Sequence, residues 1–195
     1  MNLPPNSTGP LNLGAEDRLT LLRVAKDSIR HGLDHGRPLT PDPMVHSPVL
    51  RQWRATFVTL RIGHDLRGCI GVLEAKRSLI EDVAMNAFAA AFRDSRFGPV
   101  TDYEFLMLNI HISILSPPVA MQVRSEADLL AQLRPGVDGI ILEEGTTRAT
   151  FLPDVWEAVR NPREFLAHLK AKGGWARDYW SSGMKVSRYT SEGVE

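Results

Sequence analysis

The sequence has little cysteine, no excess of charge of either sign and no long apolar run. Cys69 is its only cysteine, and one thiol cannot form a disulfide within the chain. Lysine plus arginine and aspartate plus glutamate both total 23, so no global field attracts nucleic acid or an anionic membrane. The most apolar stretch, at 84–92, is far shorter than the roughly 20 residues of a membrane span. These absences predict a protein that neither crosses a membrane nor binds nucleic acid.

The N-terminal segment MNLPPNSTGP has no cationic region followed by an apolar run, so the sequence predicts no secretory signal and a cytoplasmic protein. Residues 1–14 combine prolines and glycines with small polar residues, and we expect them to form a flexible tail. The rest, 15–195, has the composition of a globular protein, with 43% hydrophobic and 24% charged residues in the whole chain. We therefore predict one folded domain after the tail.

Hydrophobic spacing predicts helices that alternate with pairs of strands. Apolar residues three or four apart predict an amphipathic helix over 15–33, and Ser78 with Glu81 forms a capping box ahead of a buried helix at 79–92. Strands are predicted at 55–62, 66–73, 107–115, 139–144, 147–152 and 184–190. Because four of these strands form two hairpins, the order favours an α+β fold with mostly antiparallel sheets over a doubly wound parallel sheet.

The segment LRGCIG, residues 66–71, is the candidate functional site. A three-residue loop at 63–65 would set Thr59 opposite Cys69 and Arg61 opposite Arg67 on one face of the first hairpin. Ile62 would stand opposite Leu66 on the other, apolar face. A slip of one residue in the loop would instead turn Cys69 toward the core, so the register stays open at this point.

Two arginines facing each other across a strand pair repel, so Arg61 and Arg67 need solvent, a carboxylate or a bound anion between them. Their charge would also favour the reactive thiolate form of a neighbouring cysteine. Gly68 and Gly71 add backbone freedom and close access for a ligand. The alternative is that Cys69 is a small buried hydrophobe and that the arginines face water.

Four further residues are candidates for ligand contact. His111 alternates with polar neighbours on its strand and is a candidate base for Cys69, although a solvated histidine is the simpler interpretation. Asn86 lies in an apolar helix, where its amide needs a partner in the protein or in a ligand. Arg96 and Phe97 pair a cation with a ring that could stack on a planar or anionic ligand, or form a structural contact. No phosphate loop, dinucleotide motif or metal-ligand cluster occurs, so no cofactor and no metal are predicted.

Six blocks of the sequence carry a resemblance to a known family: FVTL (57–60), LRGCIG (66–71), LIEDVAMNAFAAAFRDSRF (79–97), LSPP (115–118), LRPGVDGIIL (133–142) and ATFLPDVW (149–156). In this order they resemble the AMMECR family, whose prokaryotic members are called AmmeMemoRadiSam system protein A, over about residues 15–190. The resemblance implies an α+β fold of a larger and a smaller lobe, with LRGCIG at a ligand-binding cleft.

The resemblance also extends to single residues. The family's motif residues are present in this chain as Arg67, Gly68, Cys69, Gly71, Asn86, Arg96 and Phe97. Gly98 stands where the family leads us to expect proline, which puts ligand contacts from this loop in doubt. The family's system name further implies association with a Memo-type protein, related to metal-dependent dioxygenases, and with a radical SAM protein.

Two functions fit these observations. In the first, the chain is an enzyme or enzyme component for a small anionic or carbonyl substrate, with Cys69 as nucleophile or redox group, Arg61 and Arg67 as an anion clamp, and His111 or water as the proton carrier. In the second, it is a non-catalytic module that recognises a peptide or modified residue of a Memo-type or radical SAM protein, and Cys69 matters only for shape.

Overall fold

The computed structural model describes residues 11–195, and in it the chain divides into two compact units. The first unit comprises the chain up to Ser116 together with Glu192–Glu195, and the second comprises Pro117–Ser191. Most of the predicted tail, residues 1–10, lies outside the described residues. Leu11 and Leu13 are partly buried against the core of the first unit.

The elements follow the predicted order of helices and hairpins. The α-helices are α1 (Ala15–His35), α2 (Leu79–Phe92), α3 (Asp102–Phe105), α4 (Glu126–Gln132), α5 (Val155–Ala158) and α6 (Pro162–Lys172), with a 3-10 turn at Pro43–Val45. The strands are β1 (Thr56–Ile62), β2 (Asp65–Gly71), β3 (Leu108–Leu115), β4 (Val119–Ala120), β5 (Gly139–Glu144), β6 (Thr147–Phe151), β7 (Lys185–Tyr189) and β8 (Ser191–Val194). Over residues 11–195, no helix has the length and apolar character that crossing a membrane requires.

The first sheet has the strand order β2-β1-β3-β8, and β1 is antiparallel to both β2 and β3. The second sheet has the order β4-β7-β5-β6, and its neighbouring strands are also antiparallel. The α+β fold with antiparallel sheets is thus confirmed. Both predicted hairpins are present, as β1 with β2 and as β5 with β6.

The core of the first unit lies between its sheet and the helices α1 and α2. Val58 and Leu60 of β1 and Ile112 of β3 are fully buried among apolar side chains of both helices. Gly68 of β2 lies directly against α2, because a Cβ atom on this residue would be 2.1 Å from the carbonyl oxygen of Ala90. A helix packed so closely on a strand requires glycine at that position.

The register of the first hairpin agrees with the prediction in one half and departs from it in the other. Thr59 pairs with Cys69 and Leu60 with Gly68, as predicted, but Arg61 then pairs with Leu66. The predicted pairing of Arg61 with Arg67, and of Ile62 with Leu66, is therefore wrong.

A short turn and a bulge cause this shift. Ile62 pairs with Asp65, so only Gly63 and His64 connect the strands, and Gly63 has a φ of 59°. Such two-residue turns with positive φ match the natural twist of a hairpin. Arg67, between the paired residues Leu66 and Gly68, has no partner on β1 and is the extra residue of a β-bulge.

The second unit has a core of its own, built around α6 and the strands β5 and β7. Leu142, Phe165 and Leu169 are fully buried in it. The rings of Phe165 and Trp156 are stacked with their centroids 3.9 Å apart. The indole nitrogen of Trp156 donates a hydrogen bond to the carbonyl oxygen of Asp138 over 2.8 Å, so the polar group of this buried ring has a partner within the core.

Candidate functional site

Cys69, Thr59 and His111 form one row across three neighbouring strands of the first sheet. Thr59 on β1 pairs with Cys69 on β2 at one side and with His111 on β3 at the other. All three are partly exposed, whereas Val58 and Leu60, which alternate with Thr59, are fully buried. Because side chains alternate along a strand, the row lies on the face that points away from the helices. The prediction that Cys69 lies on the polar face of its hairpin is confirmed.

Within this row the Cys69 thiol has one hydrogen-bond partner. Thr59 Oγ1 lies 3.3 Å from Cys69 Sγ, with the hydroxyl as the donor. Hydrogen bonds to sulfur are longer than those to oxygen, and sulfur is a weak acceptor. Thr59 is therefore in direct contact with the thiol.

His111 is held at a distance from Cys69. The two residues lie on strands that flank β1, and neighbouring strands are about 4.8 Å apart, which places them about 10 Å from each other. A general base must approach its proton to within about 3 Å. The imidazole instead has Nδ1 3.4 Å from Glu195 Oε2, and Gly193 lies beside its ring. Direct proton transfer between His111 and Cys69 does not fit this geometry.

Asp94 and Arg96 bind the main chain of Cys69 from the open edge of the sheet. Asp94 Oδ2 accepts a hydrogen bond from the Cys69 amide over 2.9 Å, and Arg96 Nη2 donates to the Cys69 carbonyl oxygen over 3.4 Å. Arg96 also donates from Nε to Asp94 Oδ1 over 2.9 Å and from Nη2 to Oδ2 over 2.6 Å. We refer to this two-residue arrangement as the Asp94–Arg96 clamp.

The carboxylate of the clamp is buried and the guanidinium is open to solvent. The side chain of Asp94 is 4% exposed and that of Arg96 is 54% exposed. The hydrogen bonds from Arg96 hold the pKa of Asp94 well below its usual range, and the Cys69 amide acts in the same direction. Asp94 was not among the predicted residues. Its signal in the sequence is the pattern Asp-x-Arg just after a helix, where an aspartate can accept from the amide two residues on, as it does here over 3.2 Å.

Arg67 leaves the sheet at the bulge and pairs with a carboxylate on α3. Its Nε donates to Glu104 Oε1 over 2.7 Å and its Nη2 to Oε2 over 3.1 Å. Nη2 also donates to the carbonyl oxygens of Gly98 and Pro99. The hydrogen bond from Arg67 lowers the pKa of Glu104 to about 2. The charge of Arg67 is thus compensated within the protein.

Phe97 lies close to two arginines, with the guanidinium carbon of Arg67 5.8 Å and that of Arg96 5.4 Å from its ring centroid. The predicted association of Arg96 with Phe97 is therefore present. Arg61 is exposed, and its Nη1 donates to the carbonyl oxygen of His64. Since Arg61 and Arg67 each have a separate partner, the structure does not place them opposite each other as an anion clamp.

Asn86 lies on the other side of the sheet, within the core. Its amide donates to the carbonyl oxygen and to Oγ1 of Thr56 over 3.0 and 2.9 Å, and to Asp82 Oδ2 over 2.9 Å. Asp82 is fully buried and also accepts from the amide and hydroxyl of Thr56. We considered a partner in the protein or in a ligand for the Asn86 amide, and the structure shows that its partners belong to the protein.

The two glycines of the motif are both required by neighbouring protein atoms. Gly68 contacts α2, as described above. A Cβ atom on Gly71 would lie 2.3 Å from Cγ of Phe57 and 2.4 Å from the carbonyl oxygen of Thr56. Among residues 11–195 there is also no group of three or more histidine, cysteine, aspartate or glutamate side chains that could hold a metal ion.

Comparisons with known proteins place the whole arrangement in a family. The family model AMMECR1 matches residues 22–194. A protein from Methanothermobacter thermautotrophicus is 35% identical over 187 residues, covering 92% of this chain and 94% of the relative. A protein from Thermotoga maritima is 34% identical over 173 residues, covering 88% of this chain and 92% of the relative.

Among solved structures, the crystal structure of the uncharacterized protein PH0010 from Pyrococcus horikoshii has the same fold. Its TM-score to this chain is 0.81 with 31% sequence identity, and the match covers 89% of this chain and 88% of the other. The resemblance noted at LRGCIG and in the blocks around it is confirmed, and the chain belongs to the AMMECR1 family.

Proposed function

We propose that this protein binds a small anionic or carbonyl ligand on the polar face of its first sheet, with Cys69 Sγ as the atom that contacts the ligand. The observation that supports this most directly is the hydrogen bond from Thr59 Oγ1 to the thiol over 3.3 Å. A cysteine that is only a core hydrophobe would face α1 and α2, whereas Cys69 is partly exposed on the opposite face.

The chemistry open to this thiol is addition to an electrophilic carbon. The thiol proton passes to water, the sulfur lone pair forms a bond to the carbonyl carbon, the π electrons move to the oxygen, and that oxygen takes a proton back from water. Thr59 would hold the sulfur in place during this step. Water rather than His111 is the proton carrier, since the imidazole lies two strands away.

A second function is that of a non-catalytic binding module. It is favoured by the compensated charges, because Arg67 pairs with Glu104 and Arg96 with Asp94, so that neither arginine brings an unpaired positive charge to the site. In this case Cys69 contributes shape, and the partners that the family's system name suggests are a Memo-type and a radical SAM protein.

Alkylation of the full-length protein tests the first function, and because Cys69 is the only cysteine the reaction reports on this residue alone. Iodoacetamide should modify the wild type at pH 7, and Thr59→Val should slow the reaction severalfold because the hydroxyl that supports negative sulfur is gone. Thr147→Val, on β6 of the second unit, is the matched control and should leave the rate unchanged. A thiol that does not react between pH 6 and 9 would contradict the proposal.

Glyoxylate, which is both an anion and an aldehyde, separates the two functions. If Cys69 contacts a carbonyl ligand, millimolar glyoxylate should protect the thiol from iodoacetamide in the wild type. Binding to purified Memo-type and radical SAM proteins is then compared between wild type and Cys69→Ser. No protection by glyoxylate, together with unchanged partner binding by Cys69→Ser, would support the binding module instead.

A further inference from the structure

We propose that Asp94 and Arg96 are positioning residues for Cys69, which fix its main chain at the edge of the sheet and set the reactivity of its thiol through the balance of their two opposite charges. The inference rests on the proposed function, since it concerns the regulation of the same thiol. It is carried by the geometry of the Asp94–Arg96 clamp.

Within residues 11–195, the clamp binds main-chain groups of Cys69 that no strand binds. In the antiparallel ladder between β1 and β2, successive residues point their main-chain groups alternately toward the partner strand and away from it. Cys69 lies on β2, the edge strand of the order β2-β1-β3-β8. Its amide and carbonyl point outward, where Asp94 Oδ2 accepts from the amide and Arg96 Nη2 donates to the oxygen. The clamp therefore occupies the position that one residue of an additional strand would take.

The Asp94–Arg96 clamp limits which ligands can reach Cys69. An extended peptide that joins an open sheet edge uses the outward amide and carbonyl groups of that edge for its own hydrogen bonds. At Cys69 both groups are already bound to Asp94 and Arg96. The site therefore takes a small molecule that approaches over the polar face of the sheet, rather than a peptide strand that adds to its edge.

The two charges of the clamp act on the thiol in opposite directions. A carboxylate close to a cysteine disfavours the negatively charged sulfur, whereas a guanidinium favours it. Asp94 is buried, and Arg96 forms two hydrogen bonds to it, so the pair as a whole is neutral beside Cys69. Removal of either charge leaves the other uncompensated at the main chain of Cys69. If the clamp only held the main chain in place, removal of either charge would change the alkylation rate of the Cys69 thiol in the same direction.

The test measures alkylation by iodoacetamide, a neutral reagent that the charge of the protein does not attract or repel. At pH 7, Asp94→Asn should raise the rate by up to about tenfold, and Arg96→Gln should lower it by up to about tenfold. The double variant should return toward the wild-type rate. Asp34→Asn on α1 and Arg30→Gln, its ion-pair partner, are the matched controls and should change nothing. If the wild-type thiol reacts, equal rates in all variants, or a change in the same direction for both single variants, would overturn the inference.

A second measurement keeps the inference testable if the thiol proves unreactive, an outcome that would count against the proposed function alone. Exchange of the Cys69 amide hydrogen is followed by NMR in the wild type and in Asp94→Ser, whose side chain is too short to accept from that amide. Loss of the hydrogen bond should speed exchange by at least about tenfold. If Asp94→Ser does not fold, Asp94→Asn with its weaker, uncharged acceptor serves in its place. Unchanged exchange would show that the clamp does not hold Cys69.

Discussion

At the scale of single residues, Asp82 is the group whose environment has the clearest consequence for stability. Its carboxylate is fully buried, and Oδ2 accepts from Thr56 and Asn86. Within the described residues Oδ1 has no hydrogen-bond partner, and it lies 3.5 Å from Arg77 Nε. Burial dominates over these contacts and raises the pKa of Asp82 to about 6. In the unfolded chain the pKa of an aspartate is about 3.9, so folding favours the protonated form.

The sign of the pH dependence follows from this difference. A carboxyl group whose folded-state pKa is raised stabilises the fold fully below its unfolded pKa and loses that contribution as the pH rises through about 6. For Asp82 the loss between pH 5 and pH 7.5 is about 1 kcal/mol. Urea unfolding at these two pH values should show this difference in the wild type and not in Asp82→Asn. Asp178→Asn, on the surface, is the control and should keep the wild-type pH dependence, whereas an Asp82→Asn protein that also keeps it would contradict the assignment.

At the scale of elements, the contact between β2 and α2 fixes the position of the LRGCIG strand. Gly68 lies against the main chain of α2, and a carbonyl oxygen cannot move aside as a flexible side chain can. The same strand then binds Asp94, which follows α2 by two residues. The strand that bears Cys69 is thus bound to a single helix and its C-terminal turn through two separate contacts.

A methyl group at this contact should be costly. Gly68→Ala would place Cβ 2.1 Å from the Ala90 oxygen, and forcing the helix and strand apart should lower the free energy of unfolding by about 2–3 kcal/mol. Gly98→Ala is the matched control, because nothing lies within 4 Å of its Cβ position, and it should stay within about 0.5 kcal/mol of wild type. Urea unfolding gives both changes in the free energy of unfolding from the shift in midpoint, provided that the dependence of the free energy on urea concentration is the same in all variants. Equal stability of the two variants would mean that α2 is not packed on β2 at this distance.

The elements also show which features the sequence could predict. The predicted pairing of Thr59 with Cys69 is correct, because the extra residue of the bulge at Arg67 offsets a turn that is one residue shorter than the predicted loop. The arginine pairing failed because it depended on the length of the turn, and a two-residue turn at Gly63 was followed by a bulge at Arg67. Periodicity counts residues, and a bulge adds one without changing the composition of the strand.

The rest of the site depends on contacts between distant parts of the chain. Asp94 is 25 residues from Cys69, and Asn86 is 30 residues from its partner Thr56. Nothing in the local pattern shows that these side chains meet. The family resemblance marked Asn86, Arg96 and Gly68 as motif residues, but only the packing of α2 on the sheet shows that Asn86 serves the core and Arg96 the edge strand.

At the scale of the whole molecule, the chain builds two hydrophobic cores that share no residue. One lies among α1, α2 and the first sheet, and the other around α6 and the second sheet. The family model matches residues 22–194 and therefore covers residues of both units. All the residues discussed for the candidate site belong to the first unit.

Separate cores should respond separately to a packing defect. Phe165→Leu removes the stack on Trp156 in the second unit and should cost about 1–2 kcal/mol there. Hydrogen exchange followed by mass spectrometry should show lost protection in peptides from β5 and β7, and unchanged protection in peptides from β1 and β2. Val58→Ala in the first unit is the matched variant and should give the reverse pattern, because local openings follow the core that is weakened. Equal loss of protection in both units, from either variant, would mean that the two cores open as a single cooperative structure.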